Sequence, residues 1–336
     1  DRTMPALGCV DGPAQLRVVE NGPVRIAVEV KRQANNSIFI QRICLTAGDG
    51  GKRVEVYNDV DWQSSACVLK ASFPLTVRNG VAVYNQGLGV ISRKNNNPRQ
   101  FEMLAREWFS LTDVSGEYGV TILEDCKFGS DKPADDCLRL TLLHTPGARH
   151  RNYRDQLTQD WGRHAFVYAL YGHPGTPQAA QSEWQGRRLN QPLKTFQAES
   201  HNGSLGKAFS MLELNTRQVD VRAIKMAEAG DAVIVRLQEL VGKKVDGVRL
   251  SLGRGIASAW EVDGQERRIG PATVVDGKLA MDMDPNAIRS FAVTLGDAPA
   301  RFDTPVSAPV ALDFNVIAFT NDNQAVQGAF GADKKA

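Results

Sequence analysis

Apolar and polar residues alternate with a period of two along most of this chain, the pattern of strands that bury one face. Val54, Val56, Val60 and Trp62 alternate with Glu55, Tyr57, Asp59 and Asp61. Leu138, Leu140 and Leu142 alternate with Arg139 and Thr141, and Val233, Val235 and Leu237 with Ile234, Arg236 and Gln238. Val248, Leu250 and Leu252 repeat the pattern, and Phe291, Val293 and Leu295 supply a late strand. His164, Phe166, Tyr168 and Leu170 share one face of a further strand, with Ala165, Val167, Ala169 and Tyr171 on the other. Turn-forming residues fall between such runs at Asp49-Gly50-Gly51, Gly129-Ser130-Asp131-Lys132-Pro133, Asn202-Gly203 and Asp246-Gly247. One segment differs. Gln178 to Leu189 is Ala-rich, places Ala180, Trp184 and Arg187/Arg188 at helical spacing and lies between Pro177 and Pro192, which predicts a short helix. Strands without alternating helices exclude a βαβ architecture, so the expected fold class is all-β, in two packed sheets. Pro and Ala gather over 298–311, which reads as a linker after a main body spanning 1–297, with 298–336 as linker and tail.

At 336 residues the chain has room for two domains or one large β unit. Hydrophobic residues make up 42% and charged residues 23%, which is too apolar for disorder. Forty Lys and Arg balance 38 Asp and Glu to a formal charge of +2, leaving no basic excess to neutralise a run of phosphates. The longest apolar run, about seven residues from Ala165 to Tyr171, falls far short of the roughly 20 that span a bilayer, so no membrane partner is expected. The five cysteines, at 9, 44, 67, 126 and 137, are too few for a disulfide scaffold. Cys44 and Cys67 sit in strand-like runs, and Cys126 and Cys137 bracket a turn across which they could face one another. Such sparse cysteines suit a soluble protein of either cytoplasm or periplasm. No Cys-x-x-Cys or His-x-x-x-His spacing occurs, and no metal or other cofactor is expected within this chain.

Two stretches carry candidate chemistry. Asp59 and Asp61 project from one strand face about 6.5–7 Å apart, and paired carboxylates are what glycosidic cleavage needs; the alternative is a solvated strand face. The denser stretch is Arg149-His150-Arg151-Asn152-Tyr153-Arg154-Asp155, followed by Asp160-Trp161-Gly162-Arg163-His164. A long loop that mixes Arg, Asp and Trp suits sugar hydroxyls, which hydrogen-bond to the charged groups while an indole covers a pyranose face. A solvated loop with its own ion pairs is the competing reading. Gly48-Asp49-Gly50-Gly51-Lys52-Arg53 lacks the spacing of a phosphate loop and reads as a hairpin turn.

The run from Asp160 to Gly175 (Asp-Trp-Gly-Arg-His-Ala-Phe-Val-Tyr-Ala-Leu-Tyr-Gly-His-Pro-Gly) resembles the Asp-x-Gly-x-His-x-Phe-x-Tyr-x-Leu-x-x-His-x-Gly stretch of family 38 glycoside hydrolases, the α-mannosidases. Val54 to Trp62 with Leu69 to Pro74, Tyr118 to Gly129, Leu138 to Pro146, and Ala223 to Glu228 with Ile234 to Glu239 resemble further segments of that family in the same order. Ala165 and Gly172 depart from it, where an acidic residue and a proline are common. The resemblance spans roughly 15–295 and concerns the family's C-terminal β region, which is similar to the β-supersandwich of galactose mutarotases. It implies a galactose-mutarotase-like β-supersandwich with one short helix, followed from Leu312 by the start of a truncated terminal β segment. The family's zinc, nucleophilic aspartate and acid/base residue belong to an N-terminal barrel outside these residues.

The resemblance therefore implies a non-catalytic C-terminal β domain of a retaining α-mannosidase. Its partners would be the catalytic barrel of the same polypeptide, which would hold the zinc, and a mannose-containing carbohydrate. The opening at Asp1 without an initiator Met and the unfinished tail fit that expectation. Arg151, Asp160, Arg163 and His164 are the expected substrate-binding residues at the rim of the sugar pocket, with a hydrogen-bonded core histidine as the other reading of His164. Two alternatives stay open. One is a self-contained carbohydrate-binding module with exposed Trp platforms. The other is a mutarotase-like aldose epimerase, which would need His164 or His173 to face a Glu across a pocket.

Overall fold

In chain order the first strands of the computed structural model are β1 (Gln15–Asn21), β2 (Arg25–Ala34), β3 (Ser37–Thr46), β4 (Arg53–Trp62), β5 (Cys67–Pro74), β6 (Val81–Asn85), β7 (Val90–Lys94), β8 (Met103–Leu104), β9 (Trp108–Thr112), β10 (Tyr118–Glu124), β11 (Gly129–Ala134), β12 (Cys137–Thr145) and β13 (Gly162–Pro174). The structure describes residues 8–145, 159–199, 201–202 and 210–297, with 317–319 and 325–327 as backbone. Nine of these strands form one antiparallel sheet in the order β1-β2-β3-β4-β13-β10-β9-β6-β7, and four form a second, β5-β12-β11-β8. Val60, Tyr84, Ile122 and Phe166 of the large sheet meet Phe73, Leu138 and Leu140 of the small one in a closed apolar core.

The central strand β13 is covered on both sides, which is why its sequence is apolar at successive positions. Phe166 and Tyr168 face the core between the sheets. Ala169 and Tyr171 face the other way, packing with Trp108 and Leu123 against Leu189 of helix α1 (Ser182–Asn190). The helix begins four residues later than its Ala-rich sequence suggests, because Gln181 takes a left-handed conformation with φ 58° and ends the preceding turn. Its buried positions are Ser182, Gln185, Gly186 and Leu189. A Cβ on Gly186 would stand 3.3 Å from both the Glu107 Cβ and the Trp108 ring, so glycine sets how closely the helix approaches the sheet.

Beyond the helix come β14 (Leu212–Leu214), β15 (Val219–Met226), β16 (Val233–Glu239), β17 (Val245–Leu252), β18 (Ile256–Val262), β19 (Arg268–Pro271), β20 (Thr273–Val275), β21 (Lys278–Met283) and β22 (Ile288–Leu295). They form a four-stranded sheet, β14-β17-β21-β20, and a five-stranded one, β15-β16-β22-β18-β19. Between them lies a second core that includes Val235, Leu237, Leu250, Met283 and Phe291. Later in the chain β23 (Ile317–Phe319) pairs with β24 (Ala325–Gln327). The body is thus four sheets in two sandwiches rather than two packed sheets. Alternation marks which face of a strand is buried but not which sheet covers it.

Three local expectations change. Asp246-Gly247 is no hairpin turn; it is a bulge inside β17, where the register shifts between Val245 and Val248 and Gly247 takes φ 67°. Gly129 to Pro133 is strand rather than turn, and the tight connection falls instead between Ala134 and Cys137, which are register partners. Cys126 therefore lies before the hairpin, not across it, and both Cys126 and Cys137 are free thiols. Asp49-Gly50-Gly51 does lie in the connection between β3 and β4, as a 3-10 turn over Gly48–Lys52. Asn202-Gly203 reaches outside the described residues.

Candidate functional site

The described residues that frame the candidate stretch are the end of β12 and the start of β13, at one rim of the small and large sheets. Several polar groups fasten that rim. The Ser64 carbonyl accepts from the Trp161 indole N–H and from the Thr145 hydroxyl, both at 2.9 Å. The Thr145 hydroxyl in turn accepts from the Trp62 indole N–H at 2.8 Å. The Ser64 hydroxyl donates to the Asn35 carbonyl at 2.9 Å. Trp62, Thr145 and Ser64 are buried, so these bonds are held away from competing water.

Asp160 and His164 come together on this rim. One Asp160 carboxylate oxygen accepts from the His144 backbone N–H at 2.7 Å, tying the end of β12 to the start of β13. The His164 Nε2–H donates to the Asp160 carbonyl at 2.6 Å, which fixes the tautomer of the half-buried ring. Arg163, one residue along the strand, points to the opposite face, as the pleat requires. Its guanidinium grips Asp59 through two parallel bonds, with Nε 2.8 Å from Oδ1 and Nη2 on Oδ2. The hydrogen bonds from Arg163 hold the Asp59 carboxyl below the usual carboxylate range. Asp59 is thus a strand-face ion pair and an unsuitable general acid, while its neighbour Asp61 accepts from the Gln63 side chain at 2.7 Å. Arg151 lies outside the described residues. Trp161 packs against the apolar core rather than standing free as a stacking platform.

The other histidine of the epimerase reading is enclosed. His173 is buried, its Nε2 lies 2.9 Å from the Thr121 hydroxyl, and its Nδ1–H donates to the Pro174 carbonyl at 3.4 Å. Thr121 also meets the Ser110 hydroxyl at 2.9 Å and the Ser182 hydroxyl at 2.8 Å. Burial keeps the imidazole easier to deprotonate than a free one. A ring set among hydroxyls with no Glu among these contacts is a structural histidine, and His164 faces a backbone carbonyl.

Sequence inspection missed a charged cluster where the two sandwiches meet. Glu183 accepts from the Trp108 indole N–H at 2.7 Å and from Asn85 at 3.0 Å. Arg187 lies 3.5 Å from Glu107 and 3.2 Å from Asp220, across the junction. Arg222 reaches back from β15, 3.7 Å from Glu183, and donates to the Gly87 carbonyl at 3.3 Å. Burial raises both Glu183 and Asp220 above ordinary carboxyls, because three carboxylates share two guanidiniums away from water. The Trp184 indole N–H donates to the Arg217 carbonyl at 2.8 Å. Nearby, the fully buried Glu239 carboxylate accepts from the Val241, Gly242 and Asn286 amides and from Gln218, pinning the loops of the second sandwich. A cavity of about 270 Å³ opens beside this junction, lined among others by Gln181, Glu183, Trp184, Arg217 and Gln218. The signal in sequence was only Arg187 and Arg188 on a predicted helix. Their partners come from distant strands.

Fold and rim together define an all-β body of paired sheets, with a polar rim at one end of the first sandwich and a charged junction to the second. Residues 9–150 match the glycosyl hydrolases family 38 C-terminal domain, and residues 218–291 match the glycosyl hydrolases family 38 C-terminal beta sandwich domain. The chain belongs to the C-terminal β region of glycosyl hydrolase family 38. It is 29% identical over 274 residues to alpha-mannosidase 2C1 of Homo sapiens, covering 79% of this chain and 25% of that protein. It is 27% identical to alpha-mannosidase G of Dictyostelium discoideum, covering 67% and 21% respectively. The fold superposes on an alpha-mannosidase from Enterococcus faecalis V583 with a TM-score of 0.69 at 16% identity, over 83% of this chain and 35% of that one. The chain thus spans about a quarter of the length of these curated relatives. Among the described residues no helix is long and apolar enough to cross a membrane.

Proposed function

We propose that this chain is the non-catalytic β region of a retaining α-mannosidase, buttressing a catalytic domain of the same polypeptide and supplying part of the rim of its sugar pocket. The observation that carries the reading is the ordered pair of family 38 C-terminal matches on a chain a quarter as long as the α-mannosidases it is similar to. The local chemistry agrees with it. Asp59, one of the same-face carboxylate pair read from the sequence, is committed to Arg163. In the parent, the two exchangeable carboxylates of a double displacement, and the zinc, would come from the remaining chain. The β region would contribute Asp160 and His164, and Arg151 from the stretch between β12 and β13, to the sugar's surroundings.

The geometry favours this over a self-contained carbohydrate-binding module. Trp62 and Trp108 are buried, and Trp161 and Trp184 have their N–H groups bound inside the fold. Trp260 is exposed, yet the Arg268 guanidinium sits over its ring at 4.6 Å. With zinc supplied, the isolated chain is expected to leave an aryl α-mannoside intact while the full-length polypeptide hydrolyses it. Replacing Asp160 by Asn in the full-length protein should raise KM more than it lowers kcat. Zinc-dependent turnover by the isolated chain would overturn the reading, and saturable heat on titrating it with mannose or mannobiose would favour the binding module.

A further inference from the structure

The large sheet of the first sandwich is wider than the sheet that covers it. Nine strands face four, and the cover lies over the strands from β4 toward β7. The core-facing side of β1, β2 and β3 therefore continues past the edge of the core. Register makes the continuity explicit. Val18, Val28, Ile43 and Val56 form one cross-strand row, in which Val56 is buried in the core and the other three are exposed. Ile26 and Leu45 form the next row, and Leu16 heads the one on the other side. Leu16 is 69% exposed and Val18 65%, values that belong to side chains with no described residue packed over them.

The reverse side of the same three strands carries charge pairs around two small buried residues, Ala27 and Cys44. Arg17 and Arg42 flank Glu29 at 2.8 and 3.2 Å, and Arg25 pairs with Glu20 at 2.6 Å. A one-residue change of pleat separates a ladder of ion pairs from a row of bare aliphatics, so the exposed patch is a second contact face and not a loosely patterned surface. Its positions carry no charge, as in the centre of permanent interfaces rather than transient ones.

We infer that this β1–β3 face is the seat of a further domain of the same polypeptide, an apolar surface of the chain that family 38 relatives possess beyond this region. The inference rests on the reading of the chain as part of a longer α-mannosidase. Two observations select that occupant. The α-mannosidases this chain is similar to hold about three quarters of their length outside the matched region, and that chain must meet the β region somewhere. The patch is also a direct extension of the hydrophobic core. A covering layer there would continue the sandwich as the small sheet does over β4, β13 and β10.

The test compares the full-length polypeptide with the isolated 336-residue chain. Amide exchange over 15–46 should be several-fold slower in the full-length protein, and the double variant Leu16→Lys, Val18→Glu should abolish that difference. In the isolated chain the same variant should keep the wild-type thermal midpoint, since these two side chains on the edge strand are about two-thirds exposed, and should lose most of its binding of a hydrophobic dye. Equal exchange in the two wild-type proteins would sink the inference. So would sedimentation of the isolated chain as a dimer that the variant dissociates, which would make a second copy the occupant. A change in dye binding on removing 298–336 would instead assign the face to the chain's own tail and equally overturn it. Hydrolysis of an aryl α-mannoside by the same full-length sample separates the two claims: inactivity with persisting protection of 15–46 refutes the mannosidase reading and leaves the docking face standing.

Discussion

Glu124 shows how one residue's protonation can be written into the stability of the fold. It ends β10 completely buried, and its two carboxylate oxygens face the backbone N–H groups of Glu107 and Lys127. Burial pushes its pKa up to about 8 from 4.5, against the pull of those two donors. A raised carboxyl pKa means that the native state holds a proton which the unfolded state has released. The stabilisation is complete below about pH 4.5, declines as pH rises and is gone once pH passes about 8. Glu124→Gln should remove this dependence. Between pH 4.5 and pH 9 the wild type should lose roughly 2–4 kcal/mol that the variant keeps, as read by urea unfolding across that range, on top of a pH-independent cost from setting the amide –NH2 against one of the two backbone donors. His173 acts with the opposite sign, because its lowered pKa gives stability at higher pH that is lost on acidification. It is present in both proteins, so the difference between them isolates Glu124. At this scale the sequence showed which residues were polar and which were apolar. It could not show that Asp160 would cap the His144 amide or that Glu124 would be sealed from water, because both depend on neighbours far along the chain.

At the scale of elements, the most demanding local geometry is the connection from β3 to β4. A Cβ on Gly51 would fall 2.0 Å from the Thr46 carbonyl oxygen, a clash with backbone that no rotamer relieves. Gly51→Ala should therefore destabilise the protein by about 1–3 kcal/mol. Gly270→Ala in β19, where nothing lies within 4 Å, should change the denaturation midpoint little. Equal effects from the two substitutions would refute this account of the turn. The elements themselves were largely legible. Period-two runs became β4, β12, β13, β16, β17 and β22, and the Ala-rich run became α1. The errors have a shared cause. Gly-containing pairs and Pro-containing stretches signal backbone irregularity, and a bulge within a paired strand is as good a home for one as a turn. Asp246-Gly247 and Gly129 to Pro133 both kept their strand because a neighbouring strand was there to pair with them.

Across the whole molecule, the two sandwiches are joined by polar groups rather than by a shared apolar core. Arg187 and Arg222 each touch carboxylates from both sides of the junction, and all five charged side chains there are largely shielded from solvent. Removing a guanidinium leaves like charges facing one another at low dielectric. Arg187→Met should lower stability by about 2–4 kcal/mol and split a single calorimetric unfolding transition into two, as the sandwiches lose their coupling. One unchanged transition would show that the cluster does not couple them.

Alone, the sequence determined the all-β class, the approximate position of helix α1 and, through ordered motifs, membership of the family 38 C-terminal region, because these depend on side-chain period and residue identity along the chain. Only the tertiary structure decided which strands share a sheet, that Asp160 and His164 meet while Arg163 turns away to Asp59, that α1 anchors the junction, and that β1 to β3 leave an aliphatic face uncovered. The physical reason is common to all four. A strand's pattern specifies that one face must be buried, but its partners lie at sequence separations that no local signal encodes, and the width of a sheet relative to its cover exists only once both are assembled.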